Sequence, residues 1–387
     1  MQYFRLILTL FLSLAFLSST AAQEQKGFVG RTLDKILTPS RELDPNAVYQ
    51  PKPRWTFAIT GDLRQAGFTQ NQEYTVGTMY RDPETGEMGF IELPVRISAN
   101  LHSKMDRSVG IQAGFGNLSI AFSKKFHGEG FDNVYSFDYL SAGYALQVQF
   151  LNLSNPVEYS RIMAEEGNQY YKRLDGVTNN PGHLKSFIVD AFYAFNRRSF
   201  AYSAAYKGNL FQKHSAGSWM FGSKVIMGEY QIDPAEKLSE LTGYQARQTS
   251  AQVSFGGGYS YNFVPFHRQP YAERDKGLRN LTINLTFLPM FTFFNQFTNT
   301  SYKYPEAGSD FEENEKTVMN GKLLVNYVAR AGISYTYNLF TANLYVSNDS
   351  FSYKGLSKTV LIVKDELVNT SGRFFQGMVA LRLGMRF

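Results

Sequence analysis

Residues 375–387 read FQGMVALRLGMRF, and their alternation decides the fold. Large apolar side chains occupy every odd position except Gly377, whereas the even positions carry both arginines, Arg382 and Arg386. Successive side chains of a β-strand point to opposite faces, while a helix of 3.6 residues per turn would mix the two sets. One face of this strand therefore suits lipid, and the other suits a polar interior.

The same alternation recurs along the chain. Leu281, Ile283, Leu285 and Phe287, for example, alternate with asparagines and threonines. The pattern predicts strands at 54–68, 87–101, 107–115, 117–126, 137–151, 185–197, 217–231, 245–263, 278–290, 327–338, 340–349 and 373–387. We therefore expect an all-β chain, a transmembrane antiparallel up-and-down β-barrel of about 12 strands, within a range of 10 to 14.

A soluble β-sandwich also alternates, so a soluble periplasmic β-protein remains an alternative. Two features favour the barrel. The polar faces are rich in Gly, Ser, Thr, Asn and Gln rather than in the Lys and Glu of an exposed sandwich face. Many strands are also bounded by Tyr or Phe, as an aromatic girdle at a membrane interface requires.

Composition sets the outer limits. The 387 residues contain no cysteine, 16% aromatic and 19% charged residues, with a net charge of +6. The absence of cysteine excludes disulfide scaffolds, zinc–thiolate sites and cysteine nucleophiles. The length alone suggests two or three soluble domains, but single large β architectures override that estimate. The basic excess is spread along the chain and indicates no nucleic-acid partner.

The first residues read as a secretory signal. Arg5 precedes an apolar run from Leu6 to Leu17, and small residues lead to a predicted cleavage between Ala22 and Gln23. An N-terminal membrane anchor is the alternative, although this run is short for one. Residues 1–22 are thus predicted as signal peptide, 23–53 as a short periplasmic leader or partial plug, and 54–387 as barrel. The expected location is the outer membrane of a Gram-negative bacterium.

Loop lengths suggest the orientation. The long connections 69–86, 152–184, 291–326 and 350–372 are predicted on the outside, and short turns near 102–106 and 338–340 on the periplasmic side. The connection 198–216 breaks this asymmetry, because it is long and periplasmic. It is expected either to fold back into the lumen or to extend the neighbouring strands.

No catalytic constellation stands out. The five histidines fall in predicted turns or loops, without the spacing of a metal site or a serine partner on the same strand. The sequence therefore predicts no catalytic residue, metal site or cofactor. Its preferred function is a non-enzymatic, porin-like barrel that passes or binds a small unidentified solute, or has a structural role. A lipid-modifying enzyme or protease acting at the barrel rim is the alternative.

Charged residues on the polar faces are candidates for the lumen. Arg96, Asp190, Arg330 and Arg382 are predicted to line it, where they are paired within the barrel, hold a plug or line a path for anions. Arg386 is expected near the periplasmic end, in solvent. Leu383, Met385 and Phe387 form the candidate assembly signal, read through strand pairing by the barrel-assembly machinery. Further expected partners are periplasmic chaperones, outer-membrane lipid and lipopolysaccharide.

The stretch from Asp190 to Tyr206, followed by Gln212-Lys-His-Ser-Ala-Gly-Ser218, resembles a family of Bacteroidetes outer-membrane proteins known as domain of unknown function 4421. That family shows a similar Tyr-x-Phe-Asn–basic–Phe-Ser-Tyr-x-Ala-Ala run and then Gln-Lys-Arg-Ser-Ala-Gly-Ser. Ala201 here replaces the usual Ser, and His214 replaces the Arg. The resemblance implies an outer-membrane barrel and implies no activity.

Overall fold

The computed structural model describes residues 43–52, 55–81, 85–102, 106–126, 133–164, 171–271, 275–305, 310–321, 324–361 and 364–387. The predicted signal peptide, its cleavage site at Ala22 and Gln23, and most of the predicted leader lie outside these residues.

The described chain is almost entirely β-strand. In chain order the strands are β1 (Val48–Tyr49), β2 (Trp55–Arg81), β3 (Met88–His102), β4 (Asp106–Phe115), β5 (Leu118–Lys125), β6 (Asn133–Leu140), β7 (Tyr144–Asn155), β8 (Glu158–Ala164), β9 (Tyr171–Val177), β10 (Gly182–Ala194), β11 (Phe211–Gln212), β12 (Ala216–Gln231), β13 (Gln245–Arg268), β14 (Arg279–Tyr302), β15 (Glu313–Asn320), β16 (Leu324–Tyr337), β17 (Phe340–Leu361) and β18 (Lys364–Arg386). A 3₁₀ turn spans Tyr202–Ala205, and the short helix α1 spans Lys237–Leu241.

Twelve antiparallel strands close into a barrel, because β18 pairs with β2 along most of its length. The wall runs in the order β2, β4, β5, β6, β7, β10, β12, β13, β14, β16, β17, β18. The predicted all-β antiparallel barrel and its strand number are therefore confirmed.

Two of the predicted wall strands differ from the structure. The predicted strand 137–151 is a hairpin of β6 and β7, reversed at Ser141, whose hydroxyl accepts from the amide of Tyr144 at 3.0 Å. The predicted wall strand 87–101 is β3, which leaves the wall and pairs with the far half of β2 and with β8. The count of twelve is right because these two errors cancel.

The two ends of the barrel are unlike. We call the end that carries Trp55 and Phe387 proximal, and the other end distal. Strands rather than loops project at the distal end, since β2 continues to Arg81, β14 to Tyr302 and β17 to Leu361. Much of the predicted outer loops is thus paired strand. These segments lack a clean apolar face, but backbone pairing does not require one.

The predicted periplasmic turn at 102–106 is wrong. β3 and β4 both run antiparallel to β2, so the chain keeps its direction between them. The predicted turn near 338–340 is confirmed at the proximal end, where Asn338 adopts a positive φ of 53° between β16 and β17.

The barrel is apolar outside and polar inside over its proximal half. Ser260, Asn262, Asn284 and Thr286 are buried in the lumen. The exposed apolar side chains of the wall, here called the outer belt, include Phe57, Ile59, Ile111, Trp219, Phe221, Phe255, Leu285, Phe287, Ile333, Leu344, Leu381 and Leu383. This is the reverse of a water-soluble protein, which buries such side chains.

In the described residues, no helix combines the length and the apolar character that a membrane-spanning helix needs.

Candidate functional site in the barrel lumen

The connection between β10 and β12 folds back into the proximal lumen, as one of the two sequence alternatives proposed. We call residues 195–215 the plug. Phe200, Tyr202 and Leu210 are buried there, with the 3₁₀ turn among them. The connection therefore belongs to the filling of the barrel rather than to its wall.

Amide side chains satisfy the buried backbone of the plug. Gln212 accepts from the amide of Ala201 at 2.8 Å and donates to the carbonyl of Ser199 at 2.6 Å. Asn262 donates to the carbonyl of Ala201 at 2.9 Å, and Asn280 donates to that of Gln212 at 2.9 Å. A buried backbone group without a partner costs free energy, so the wall strands facing the plug carry amides.

The described end of the leader lies against the plug. β1 pairs with β11, and the amide of Lys213 donates to the carbonyl of Ala47 at 2.8 Å. Val48, Ala142, Ala201, Ala204 and Leu210 form a small apolar cluster at this contact. The leader is thus tied to the plug at the proximal end.

Four charged side chains meet in the middle of the lumen. Lys224 lies 2.6 Å from Asp349 and 3.1 Å from Asp190, which in turn lies 2.6 Å from Arg330. Arg330 also stacks 4.7 Å from the ring centroid of Phe192, and Lys224 lies 4.9 Å from that of Phe351. Each charge has an opposite partner, as burial of charge requires. We call these four residues the ion cluster.

Apolar side chains dominate the distal lumen, so the expected polar lumen is correct only for the proximal part. Inward-facing members of one core cluster include Leu151, Leu184, Ile188, Ile226, Leu288, Met290, Val328, Phe351 and Phe374. At the distal end, the hydroxyl of Tyr74 on β2 donates to the carbonyl of Leu241 on α1 at 3.3 Å. The lumen is therefore filled by the plug at one end and by apolar side chains at the other.

A cavity of about 130 Å³ remains between these fillings. It lies beside the rings of Tyr202 and Tyr206, against the wall from β2 to β7 and the strands β17 and β18. Its charged lining consists of Asp62, Arg64, Asp138, Arg330 and Arg382. Ser108 donates to Asp62, and Gln147 accepts from Arg330.

Arg382 differs from the other cations that line the cavity. It donates to the side chains of Asn343 at 2.9 Å and Gln112 at 2.8 Å, and to the carbonyl of Lys207 at 2.5 Å. All of these acceptors are neutral, and among the described residues no carboxylate lies within ion-pair distance of Arg382. Its charge therefore has no direct counter-charge.

Lys207, on the plug, is buried beside this site. Its ammonium nitrogen makes no hydrogen bond to the described residues. Burial lowers the pKa of Lys207 well below its ordinary range, although the charge of Asp138 opposes this shift. Burial in the plug thus favours the neutral form of the Lys207 amine.

The structure brings three of the four predicted lumen residues together. Asp190 and Arg330 lie in the ion cluster, and Arg382 lines the cavity. Arg96 does not line the lumen, because it lies on β3 with a 62% exposed side chain, 2.8 Å from Glu73. The odd or even position of a residue, here called strand parity, assigns it to one face of its strand. It does not reveal whether that strand belongs to the barrel wall.

Two further site residues were readable from the sequence and were missed. Lys224 occupies the same face of β12 as Ser218, opposite Trp219 and Phe221, so parity alone places it in the lumen. Asp349 shares the inward parity of Asn343 and Ser347 on β17, beyond the centre of the predicted strand.

The prediction that Arg386 lies in solvent is wrong. Its side chain is buried at the proximal end, 3.3 Å from Asp275 and 4.8 Å from the ring centroid of Phe211 in the plug. The loop before β14 supplies the carboxylate. Alternation along β18 does not reveal this partner, because the two residues lie far apart in the sequence.

The candidate assembly signal lies on the outside of β18. Leu383 and Phe387 are exposed, and the amide of Phe387 donates to the carbonyl of Trp55 at 2.9 Å. Met385 lies between them on the same face and pairs in register with Phe57. These residues therefore border the seam between the last and first wall strands.

The histidines form no metal site among the described residues. His267 lies beside Asn280, with 3.1 Å between its Nδ1 and the amide nitrogen. His127 lies outside the described residues.

Comparison with known proteins gives structural likenesses only. No family model matches the chain, and no curated protein matches it. Among solved structures it is similar to the outer membrane protease OmpT from Escherichia coli, at 8% identity and a TM-score of 0.28, over 91% of this chain and 100% of that one. It is also similar to a Pseudomonas aeruginosa FadL homologue, at 7% identity and a TM-score of 0.15, over 86% and 90% of the two chains. The assignment of this fold rests on its own strand pairing, and the chain is a closed antiparallel β-barrel.

Proposed function

We propose that this chain is a non-enzymatic β-barrel protein of the outer membrane of a Gram-negative bacterium, and that its lumen binds a small polar solute. The observation that carries the membrane assignment is the outer belt over a buried polar lining. In water, so much exposed apolar surface would drive association, whereas in lipid it is the stable arrangement.

Aromatic pairs at the proximal edge of the belt support the same assignment. Trp55 lies 5.3 Å from Phe115, Tyr144 lies 5.2 Å from Tyr193, and Trp219 lies 5.3 Å from Tyr259, measured between ring centroids. Amphipathic rings of this kind favour the boundary between hydrocarbon and headgroups. Lipid and lipopolysaccharide are thus the proposed surroundings, with periplasmic chaperones and the barrel-assembly machinery as transient partners.

The solute-binding role rests on the cavity rather than on an open path. The plug and the distal apolar cluster fill the lumen on either side of the cavity, so passage would require the plug to move. Residues 190–218, which carry the resemblance to the Bacteroidetes family, comprise the end of β10, the plug and the start of β12. We propose membership of that family on this ground.

Two arginine substitutions test the membrane assignment. Leu285 is 64% exposed in the middle of the belt, and Val318 is 56% exposed on β15, which lies beside the wall at its distal end. An arginine at the middle of a bilayer costs roughly 2–4 kcal/mol in a barrel wall, and much less outside it. Leu285→Arg should lower the amount of folded protein in carbonate-washed outer membranes, and Val318→Arg should not.

Recovery of the wild-type protein in the soluble fraction without detergent would overturn the assignment and favour a soluble β-protein. Equal tolerance of both arginines would contradict it as well. Planar-bilayer recordings test the closed lumen separately: we expect no steady current from the wild-type barrel, and a stable open channel would refute the occlusion.

A further inference from the structure

The cavity is lined by one cation and one anion that form no ion pair within the part of the chain that the structure describes. Arg64 lies 3.6 Å from Asp62, and Arg330 lies 2.6 Å from Asp190, so these cations have carboxylates nearby. Arg382 has only neutral acceptors among the described residues. Asp138 accepts from the neutral amide of Gln147 at 3.3 Å, and within the described chain no cation lies at ion-pair distance from it. The buried amine of Lys207 on the plug acts on Asp138 from beyond that distance.

Arg382 and Asp138 face the same cavity without touching one another. Both line it, and they interact electrostatically across a gap that exceeds ion-pair distance. An unpaired buried charge is unstable unless water or a ligand supplies its partner. A gap between opposite charges suits a molecule that carries both an anionic and a cationic group.

The size of the cavity limits that molecule. A cavity of about 150 Å³ holds one benzene ring, which has six non-hydrogen atoms. The 130 Å³ cavity therefore accepts about that number of atoms. Gln112, Gln149 and Ser136 in the lining add neutral hydrogen-bonding groups, whereas Val134 and Leu140 leave room for a small apolar group.

From this arrangement we infer that the cavity is a binding site for a small zwitterion of the α-amino acid class. The carboxylate of the ligand lies against the guanidinium of Arg382, where one Nη1 N–H is not used by Asn343, Gln112 or Lys207. The ammonium group lies against Asp138. Glycine, alanine and serine fit the volume. The inference rests on the proposed solute-binding role and names the class of solute.

Calorimetric titration of the purified barrel in detergent tests the inference without any mutation. L-alanine is compared with propionate, which lacks the ammonium group, and with ethylamine, which lacks the carboxylate. We expect L-alanine to bind at least about tenfold more tightly than either analogue, since each analogue leaves one buried charge unpaired. Absence of alanine binding at millimolar concentration, or equal binding of propionate, would overturn the zwitterion site.

Variants then locate the site. Arg382→Gln and Asp138→Asn should each weaken L-alanine binding at least about tenfold, while Arg96→Gln, outside the barrel, should leave it unchanged. Folding of each variant is checked by the heat-dependent shift of barrel mobility in gels. Unchanged binding in both folded lumen variants would refute the assignment. A barrel that fractionates with membranes but binds no amino acid would refute this inference and leave the membrane assignment intact.

Discussion

Substitution of Lys224 by methionine should destabilise the barrel by about 3–5 kcal/mol, the usual cost of removing one member of a buried ion pair. Lys224 is the only cation among the described residues within ion-pair distance of Asp349, at 2.6 Å. Asp190 keeps Arg330 at 2.6 Å after the substitution, so the stranded charge is Asp349 alone. The expected loss is therefore that of one unpaired buried carboxylate.

A surface pair of the same length provides the control. Lys237 lies 2.6 Å from Glu240, but both side chains are 53% exposed. Such pairs contribute about 0–1 kcal/mol, so Lys237→Met should cost no more than that. The two lysines differ in burial rather than in ion-pair distance, and burial is the quantity under test.

Guanidinium unfolding in phospholipid vesicles, followed by the fluorescence of Trp55 and Trp219, measures both losses. Adding Asp349→Asn to the Lys224→Met barrel removes the stranded charge and should restore part of the stability, leaving about 1–3 kcal/mol for the unsatisfied amide. Losses for Lys224→Met and Lys237→Met that agree within 1 kcal/mol would refute the reasoning, and so would a double variant that is less stable than Lys224→Met.

Three further outcomes are expected. The pKa of Lys207 is lowered in the folded protein, whereas its pKa in the unfolded chain is about 10.4. Between these two values the unfolded chain binds one more proton, so the free energy of unfolding of the wild type rises with pH. Lys207→Met should therefore be more stable than wild type at pH 7, by a difference in unfolding free energy that shrinks towards pH 10, and a difference that stays constant with pH would contradict this. Gly258→Ala should lower the free energy of unfolding by more than about 1 kcal/mol, because the added Cβ would overlap the backbone carbonyl of Phe287. A Cβ at Gly257 meets the carbonyl of Met220 at an ordinary 3.6 Å, so Gly257→Ala should unfold at the wild-type denaturant concentration. Equal unfolding midpoints for the two variants would count against this contact. Phe387→Ala should reduce outer-membrane insertion, because Phe387 borders the seam between β18 and β2; unchanged levels on immunoblots of outer membranes would oppose the assembly-signal prediction.

Strand parity was informative wherever a strand stayed in the wall. Residues 375–387 place Leu381 and Leu383 outside and Arg382 inside, as their alternation predicts. Alternation over 137–151 groups Leu140 with the outward-facing Tyr144, but Leu140 is buried inside, because the turn at Ser141 separates β6 from β7. It also failed at Arg96, because alternation does not identify the partner of a strand.

The candidate site was predictable only in part. Inward parity found Asp190, Arg330 and Arg382, since each lies on a regular wall strand. It could not show that Arg330 has a carboxylate partner while Arg382 has none among the described residues, because partners come from strands far away in sequence. The apolar filling of the distal lumen does not follow from alternation either, because Ile188 and Phe192 are apolar residues at inward positions of β10.

The contact between Arg382 and the plug has a consequence for how the protein is assembled. The carbonyl of Lys207 is held by a side chain of β18, the final strand of the wall, and β18 also closes the barrel against β2. The strand pairing that closes the wall therefore also positions the side chain that holds the plug, so wall closure and plug placement are coupled through β18.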